Sequence, residues 1–268
     1  MTEVADTARR ASNSDAMGWG ARAGLAAPAG IYLLMGLLAL AVALGRSNSA
    51  TDQRGALTEV ARHPGGKLLL VLLAVGFAGY ALWRFSQSAF GVVGDGNGAA
   101  PQLKSLVRGI VYFFAVTTVT ILVGAGGGTS QGAEQQGLTA STMRYPGGRY
   151  LVGAVGLVIV GGGAIVYEGA TRKFEKYLAT SQMSASTRSV VSKLGMVGTI
   201  ARGAVIALAG GLVVDAAVTF RPAKARGLDG ALRTLAAQPY GKTLLGAAAF
   251  GLIAFGVYGF AEARWHRT

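Results

Sequence analysis

Few residues in this 268-residue chain have the type and setting for chemistry, and the sharpest is Asp215. It follows Val213 and Val214 and precedes Ala216 and Ala217, near the end of an apolar run. An ionisable group inside an apolar span is costly, and by default marks a proton or cation site. At this shallow depth the plainer reading is an acid close to the headgroups, reached by water or paired with Arg221. Glu168 and Glu262 follow two other apolar runs and Arg84 follows a third. Together they make a candidate polar vestibule, and singly they make interfacial anchors whose long basic members snorkel. Arg108 and Arg202 open two runs at matching places and are candidates for lipid-phosphate contacts or topology signals.

Other chemistries find no support. The chain has no cysteine, which excludes thiolate metal sites, iron–sulfur clusters and thiol nucleophiles. Its two histidines, His63 and His266, are too few for a histidine metal cluster, and His63 reads as a surface residue beside a turn. No Ser/His/Asp or paired-carboxylate set can be assembled. The glycine-rich stretches at 94–98 and 124–128 lack the phosphate-loop pattern. No catalytic residue, cofactor or metal is expected, and the chain does not read as an enzyme.

The elements that hold these residues are apolar. Hydrophobic residues make up 51% of the chain and charged ones 14%, well below the ~25% of soluble domains. A bilayer-spanning helix needs about 20 apolar residues. Six runs approach this: 24–44, 68–83, 106–126, 150–167, 194–218 and 243–260. The second continues as helix past Arg84 toward 93. Residues 1–18 read as a loose tail, since acids at Glu3, Asp6 and Asp15 precede a run too long for a signal peptide. Trp19, Trp83, Tyr150, Tyr167, Tyr258 and Trp265 fall near the ends of runs, where aromatic rings favour the headgroup layer. The net charge of +13 sits mostly between runs. That placement implies the bilayer and its anionic headgroups as partners and not nucleic acid.

One turn recurs three times: Pro64-Gly65-Gly66-Lys67, Pro146-Gly147-Gly148-Arg149 and Pro239-Tyr240-Gly241-Lys242. Each opens an even-numbered run, and a glycine stands nine residues before each proline, at Gly55, Gly137 and Gly230. The odd runs also match: Arg108-Gly109-Ile110-Val111-Tyr112 with Arg202-Gly203-Ala204-Val205-Ile206, and Pro28-Ala29-Gly30-Ile31-Tyr32 as a diverged first copy. The chain therefore reads as three two-helix copies, at 19–93, 103–170 and 190–265, after the 1–18 tail. Before each turn a short amphipathic helix is expected at the interface, capped by Asp52 in the first copy and Asp229 in the third, and less regular in the second. Small residues at four-residue spacing, Gly203, Ala207 and Gly211 or Ala247 and Gly251, suit close helix approach.

These turns, with the segment from Asp229 to Lys242, resemble the bacterial membrane family called domain of unknown function 1206. The third copy fits it best and the second departs most. The resemblance, to a family frequent in actinobacteria, implies three tandem two-helix copies, a plasma-membrane location and no particular activity.

The expected fold is all-α: six transmembrane helices as three parallel-oriented hairpins about a pseudo-threefold axis, or in a linear row. Slightly more Lys and Arg fall on the terminal side, including Arg172, Lys173 and Lys176, which places both termini in the cytoplasm. The expected role is an accessory or structural protein of the envelope membrane. The alternative is a small transporter or channel with a path along the repeat axis. Mitochondrial carriers share the three-hairpin plan, but their P-x-[DE]-x-x-[KR] motif is absent from the odd runs here.

Overall fold

A computed structural model describes residues 15–46, 51–90, 106 and 131–265. Every regular element among them is helical, with no β-strand. In chain order these are α1 (Asp15–Ala43), α2 (Gln53–Arg62), α3 (Gly66–Phe90), α4 (Gln131–Met143), α5 (Gly148–Val160), α6 (Ala164–Ala170), α7 (Ala185–Thr219), α8 (Gly227–Ala236) and α9 (Gly241–Trp265). A 3₁₀ turn at Gly161–Gly163 joins α5 to α6, so the fourth run is one continuous apolar rod. The third run, with Arg108, lies outside the described residues apart from Leu106, as does most of the expected tail. Helix α1 begins at Asp15, four residues inside that tail.

Three helices are long and apolar enough to cross a membrane: Gly148–Ala170, Ala185–Thr219 and Gly241–Trp265. In the first only 11% of the apolar window is buried. Leu151, Leu157 and Val158 stand exposed there, as do Leu68, Leu69, Leu72 and Val75 on α3. Helices this apolar on their outward faces are in their low-energy solvent when that solvent is lipid.

Two compact units emerge, Met1–Pro28 with Thr58–Gly128 and Thr268, and Ala29–Leu57 with Thr129–Arg267. In the first, the turn after α2 is tight. The Gly66 N–H donates to the His63 carbonyl at 2.9 Å, and Gly65 takes a positive φ of 77°.

In the second unit α7 is the hub, packed against α5, α6, α8 and α9. Its two sides explain the glycine content. A Cβ on Gly210 would lie 2.6 Å from the Val160 backbone nitrogen, and one on Gly203 2.8 Å from that of Val166. On the other side, a Cβ on Gly198 would lie 2.4 Å from the Phe255 backbone, and one on Gly251 2.1 Å from the Ala201 methyl. Gly203 and Gly251 thus sit at close approaches, as the spacing suggested. Gly211 instead meets open space and Ala247 is exposed, because Gly210 is the residue that faces α5.

Helix α9 meets α1 in the same manner. Gly36 lies against Ile253, Gly256 against Leu33 and Gly259 against Ala29. The α5–α6 rod meets α7 through Gly210 and Val160, Gly163 and Ala207, and Gly203 and Val166. Each residue of the first set maps onto one of the second by a constant offset, the even-helix offset being that between Pro239 and Pro146. One seam, an even helix of one copy on the odd helix of the next, is therefore used twice: second copy to third, and third copy to first.

The segment between α6 and α7 adds a small core. Its 3₁₀ turn Lys173–Tyr177 brings Phe174 and Leu178 against Val191 and Tyr258. The Ala179 N–H donates to the Trp265 carbonyl at 2.8 Å, and Ser192 Oγ donates to Glu175 at 2.5 Å.

Candidate functional site

The polar residues of the second unit collect where the short helices α2, α4 and α8 meet. Asp52 caps α2 as expected: its Oδ1 accepts from the Gly55 N–H at 2.7 Å and its side chain is fully buried. Asp229 does not cap α8. That helix starts at Gly227, so Asp229 lies in its first turn and its carboxylate is free to reach sideways. Oδ1 accepts from the Thr51 N–H at 2.8 Å and from Thr51 Oγ1 at 3.0 Å, while Oδ2 takes Arg233 Nε at 2.7 Å. The positive end of α8 favours the same charge. Val42, Leu232 and Leu245 wall the shallow cleft beside this contact.

Two further contacts repeat the pattern with other chemistry. Arg54 on α2 pairs with Glu134 on α4 at 2.6 Å. Gln136 on α4 donates to the Ala223 carbonyl, just ahead of α8, at 3.2 Å. Arg54, Gln136 and Asp229 each stand ten residues before their copy's proline, immediately before the phased glycine. Equivalent positions thus reach from the first copy to the second, from the second to the third, and from the third back to the first. The backbones follow: a Cβ on Gly132 would lie 2.6 Å from the Arg226 carbonyl oxygen, and one on Gly227 2.6 Å from Gln135 Oε1. The middle short helix runs over Gln131–Met143 through a stretch that reads as irregular, and Thr142 and Ser141 return their hydroxyls to the Leu138 carbonyl.

The three turns share one geometry. The residue after proline has positive φ: 77° at Gly65, 78° at Gly147 and 62° at Tyr240. The next residue is a glycine for lack of space. A Cβ there would lie 1.7 Å from the Val60 oxygen, 1.8 Å from that of Thr142 and 1.9 Å from that of Ala236, for Gly66, Gly148 and Gly241. Pro64, Pro146 and Pro239 are exposed, as are Lys67, Arg149 and Lys242 at the helix starts. Arg149 leans over the Tyr150 ring.

The remaining candidates do not form one site. Asp215 is 46% exposed and pairs with Lys224 at 2.8 Å rather than with Arg221, because the 3₁₀ turn Pro222–Lys224 swings the lysine back over the end of α7. Glu168 is exposed on α6, whose neighbour Gly169 touches Ile200, about 22 Å along α7 from Asp215 at ~1.5 Å per residue. Glu262 is half-buried near the end of α9. Arg84 lies on α3, and its side chain is outside the described ones. Arg202 does not begin its helix: α7 starts at Ala185, so Arg202 sits at its middle, against Tyr32 and Phe255.

Thr51, Arg54, Glu134 and Gln136 were not apparent as site residues in the sequence. Phase relative to Gly55, Gly137 and Gly230 finds Arg54 and Gln136, whose types differ, while Thr51 and Glu134 emerge only as the partners of Asp229 and Arg54.

No solved structure matches the chain. It is 33% identical to the uncharacterised protein YxxB of Bacillus subtilis (strain 168), over 88% of this chain and 86% of that one. Three segments, 23–91, 103–172 and 197–266, each match the family described as Domain of Unknown Function (DUF1206). Two features run in parallel, a repeated seam and a repeated turn, and both recur at the spacing of those segments: the chain belongs to the DUF1206 family.

Proposed function

We propose that this protein is a non-enzymatic, accessory structural component of the bacterial plasma membrane, in which three hairpins of six spans close on one another about a pseudo-threefold axis. The observation that carries this reading is the set of three contacts among the short helices. A linear row would join the first copy to the second and the second to the third, and would leave the third away from the first. The Asp229–Thr51 contact and the α9–α1 seam supply that last link. Head-to-tail contacts that return to their start make a ring.

Two things favour a structural role over transport. Asp215, the best proton-site candidate, is neutralised by Lys224 at a helix end. The two described seams are held by glycines lying close against the facing helix, a packing that suits helix association. The partners of this reading are bilayer lipid and its anionic headgroups, with no nucleic acid. Both termini are placed in the cytoplasm on the basic residues outside the spans, with Arg202 no longer counted among them because it lies mid-helix.

The test is reconstitution into sealed vesicles carrying a proton or potassium gradient. The gradient should decay no faster than in empty vesicles. Faster decay that Asp215→Asn abolishes overturns the structural reading in favour of a transporter or channel.

A further inference from the structure

Arg202 is held in an aromatic clamp made by two copies. Its Nε donates to the Tyr32 hydroxyl at 2.9 Å, from α7 of the third copy to α1 of the first. Its guanidinium lies 5.0 Å from the Tyr32 ring centre and 4.7 Å from that of Phe255 on α9. The two rings meet edge to face at 4.9 Å. Cation–ring contacts of this kind strengthen when water is excluded.

The depth of this clamp matters. Arg202 stands 17 residues before Thr219, the end of α7, or about 25 Å at ~1.5 Å per residue. The hydrocarbon core is about 30 Å thick. With Thr219 set at one edge of that core, the guanidinium falls just inside the other edge, beneath the phosphate layer of that leaflet. A full positive charge there is costly unless an anion meets it.

Among the described residues no such anion is supplied. Across the six apolar runs the only Asp or Glu is Asp215, at the far end of α7 and already paired with Lys224. Among the described residues no carboxylate forms an ion pair with Arg202. Its residue is only half-buried, so the seam is open enough to admit a partner. Among the described residues Tyr32 alone hydrogen-bonds the guanidinium, through Nε, and the fork of Nη donors suits two oxygens of a phosphate. Because the rings already fix the side chain, little rotamer freedom remains to be lost when an anion binds.

We propose that Arg202, clamped by Tyr32 and Phe255, is the anchor of a phosphate site at the seam between the third and first copies, and that the phosphate is the phosphodiester of an anionic lipid. This rests on the reading that the chain spans a membrane. Exposed Arg172, Lys173 and Arg264 at the nearby helix ends attract the same lipids diffusely, through charge alone.

The test uses the full chain in uncharged detergent, with bound lipid counted by native mass spectrometry and thermal unfolding as a second readout. Phosphatidylglycerol, phosphatidylcholine and inorganic phosphate are added separately. The wild type should retain one phosphatidylglycerol and unfold several degrees higher with it than with phosphatidylcholine. Arg202→Gln should lose that preference at least tenfold. Arg172→Gln with Lys173→Gln should keep it at ~0.3 M salt, where diffuse attraction is screened. An unchanged preference in Arg202→Gln overturns the site. If inorganic phosphate alone reproduces the full shift, the lipid source is overturned. Should Arg202→Gln not fold, Tyr32→Phe and Phe255→Leu keep the charge and loosen the clamp; a preference undiminished in both overturns the proposal. The membrane reading fails on a different result, a wild type that stays monodisperse without detergent.

Discussion

The seam from second to third copy and the seam from third to first share a backbone path but not their contents. Gly210 against Val160 corresponds to Gly36 against Ile253, and Gly163 against Ala207 to Gly256 against Leu33. One step further the glycine changes sides: Gly203 faces Val166 in one seam, while Gly259 faces Ala29 in the other. What the seam requires is a missing side chain at each crossing, from either helix. At a fourth level the contents diverge altogether. Gly162 touches Ile206 in one seam, and the matching pair in the other is Phe255 with Tyr32, which hold Arg202. Helix geometry fixes the common path, and side chains specialise one seam for a charge.

The largest expected effect tests the common path. Gly210→Val forces atoms into the Val160 backbone and should cost about 3 kcal/mol. Gly36→Val should cost a similar amount, and Gly211→Val, facing open space, close to none. Thermal unfolding in detergent reads all three, and a harmless Gly36→Val together with a damaging Gly210→Val would break the equivalence of the seams.

Next comes the ring of short helices. Asp229→Ala leaves the buried Thr51 N–H and hydroxyl unsatisfied and should cost roughly 1–3 kcal/mol. Glu134→Gln removes a pair whose acid is 48% exposed and should cost only about 0.2–1 kcal/mol. Equal losses in the same unfolding measurement would mean that these two links do not differ in the way their burial indicates.

A smaller effect separates the specialised level from its plain counterpart. Tyr32→Phe removes the hydroxyl that accepts from Arg202 and should lower stability by about 1.5 kcal/mol, whereas Ile206→Val at the matching place should lower it by about 1 kcal/mol or less. A milder effect at Tyr32 than at Ile206 would remove the charge from the account of that seam.

The smallest effect compares turns. Tyr240 holds φ 62° where the other copies have glycine, and it is 86% exposed. Tyr240→Gly should therefore raise stability by about 0.5–1 kcal/mol, visible as a modest gain in unfolding temperature, while Gly147→Ala should lower it by a similar amount.

The turns, the first and third short helices and the Asp52 cap were legible in the sequence, because each depends on residues within a few positions of one another, whereas the middle short helix was not. Gly66, Gly148 and Gly241 are fixed by a carbonyl five or six residues earlier. Which even helix lies on which odd helix was not legible: residues 36 and 253 carry no local mark of their contact. In the sequence Asp229 reads as a cap, because Asp before a helix is the usual signal, but α8 begins at Gly227, two residues before it. In the sequence Arg202 reads as opening its helix because polar and apolar residues mix over 185–193, where α7 is nonetheless helical. Ser184 caps that extension by accepting from the Thr187 N–H at 3.2 Å. Phe174 and Leu178 drew no notice because the basic residues around them read as a solvated loop.

The third copy rests on the first through the same surface by which the second rests on the third. Peptide continuity between neighbours is then a convenience of synthesis rather than a source of cohesion. Cells making residues 1–180 and 181–268 as separate polypeptides should yield one co-purifying assembly, with the third hairpin recruited from solution in the bilayer as a subunit.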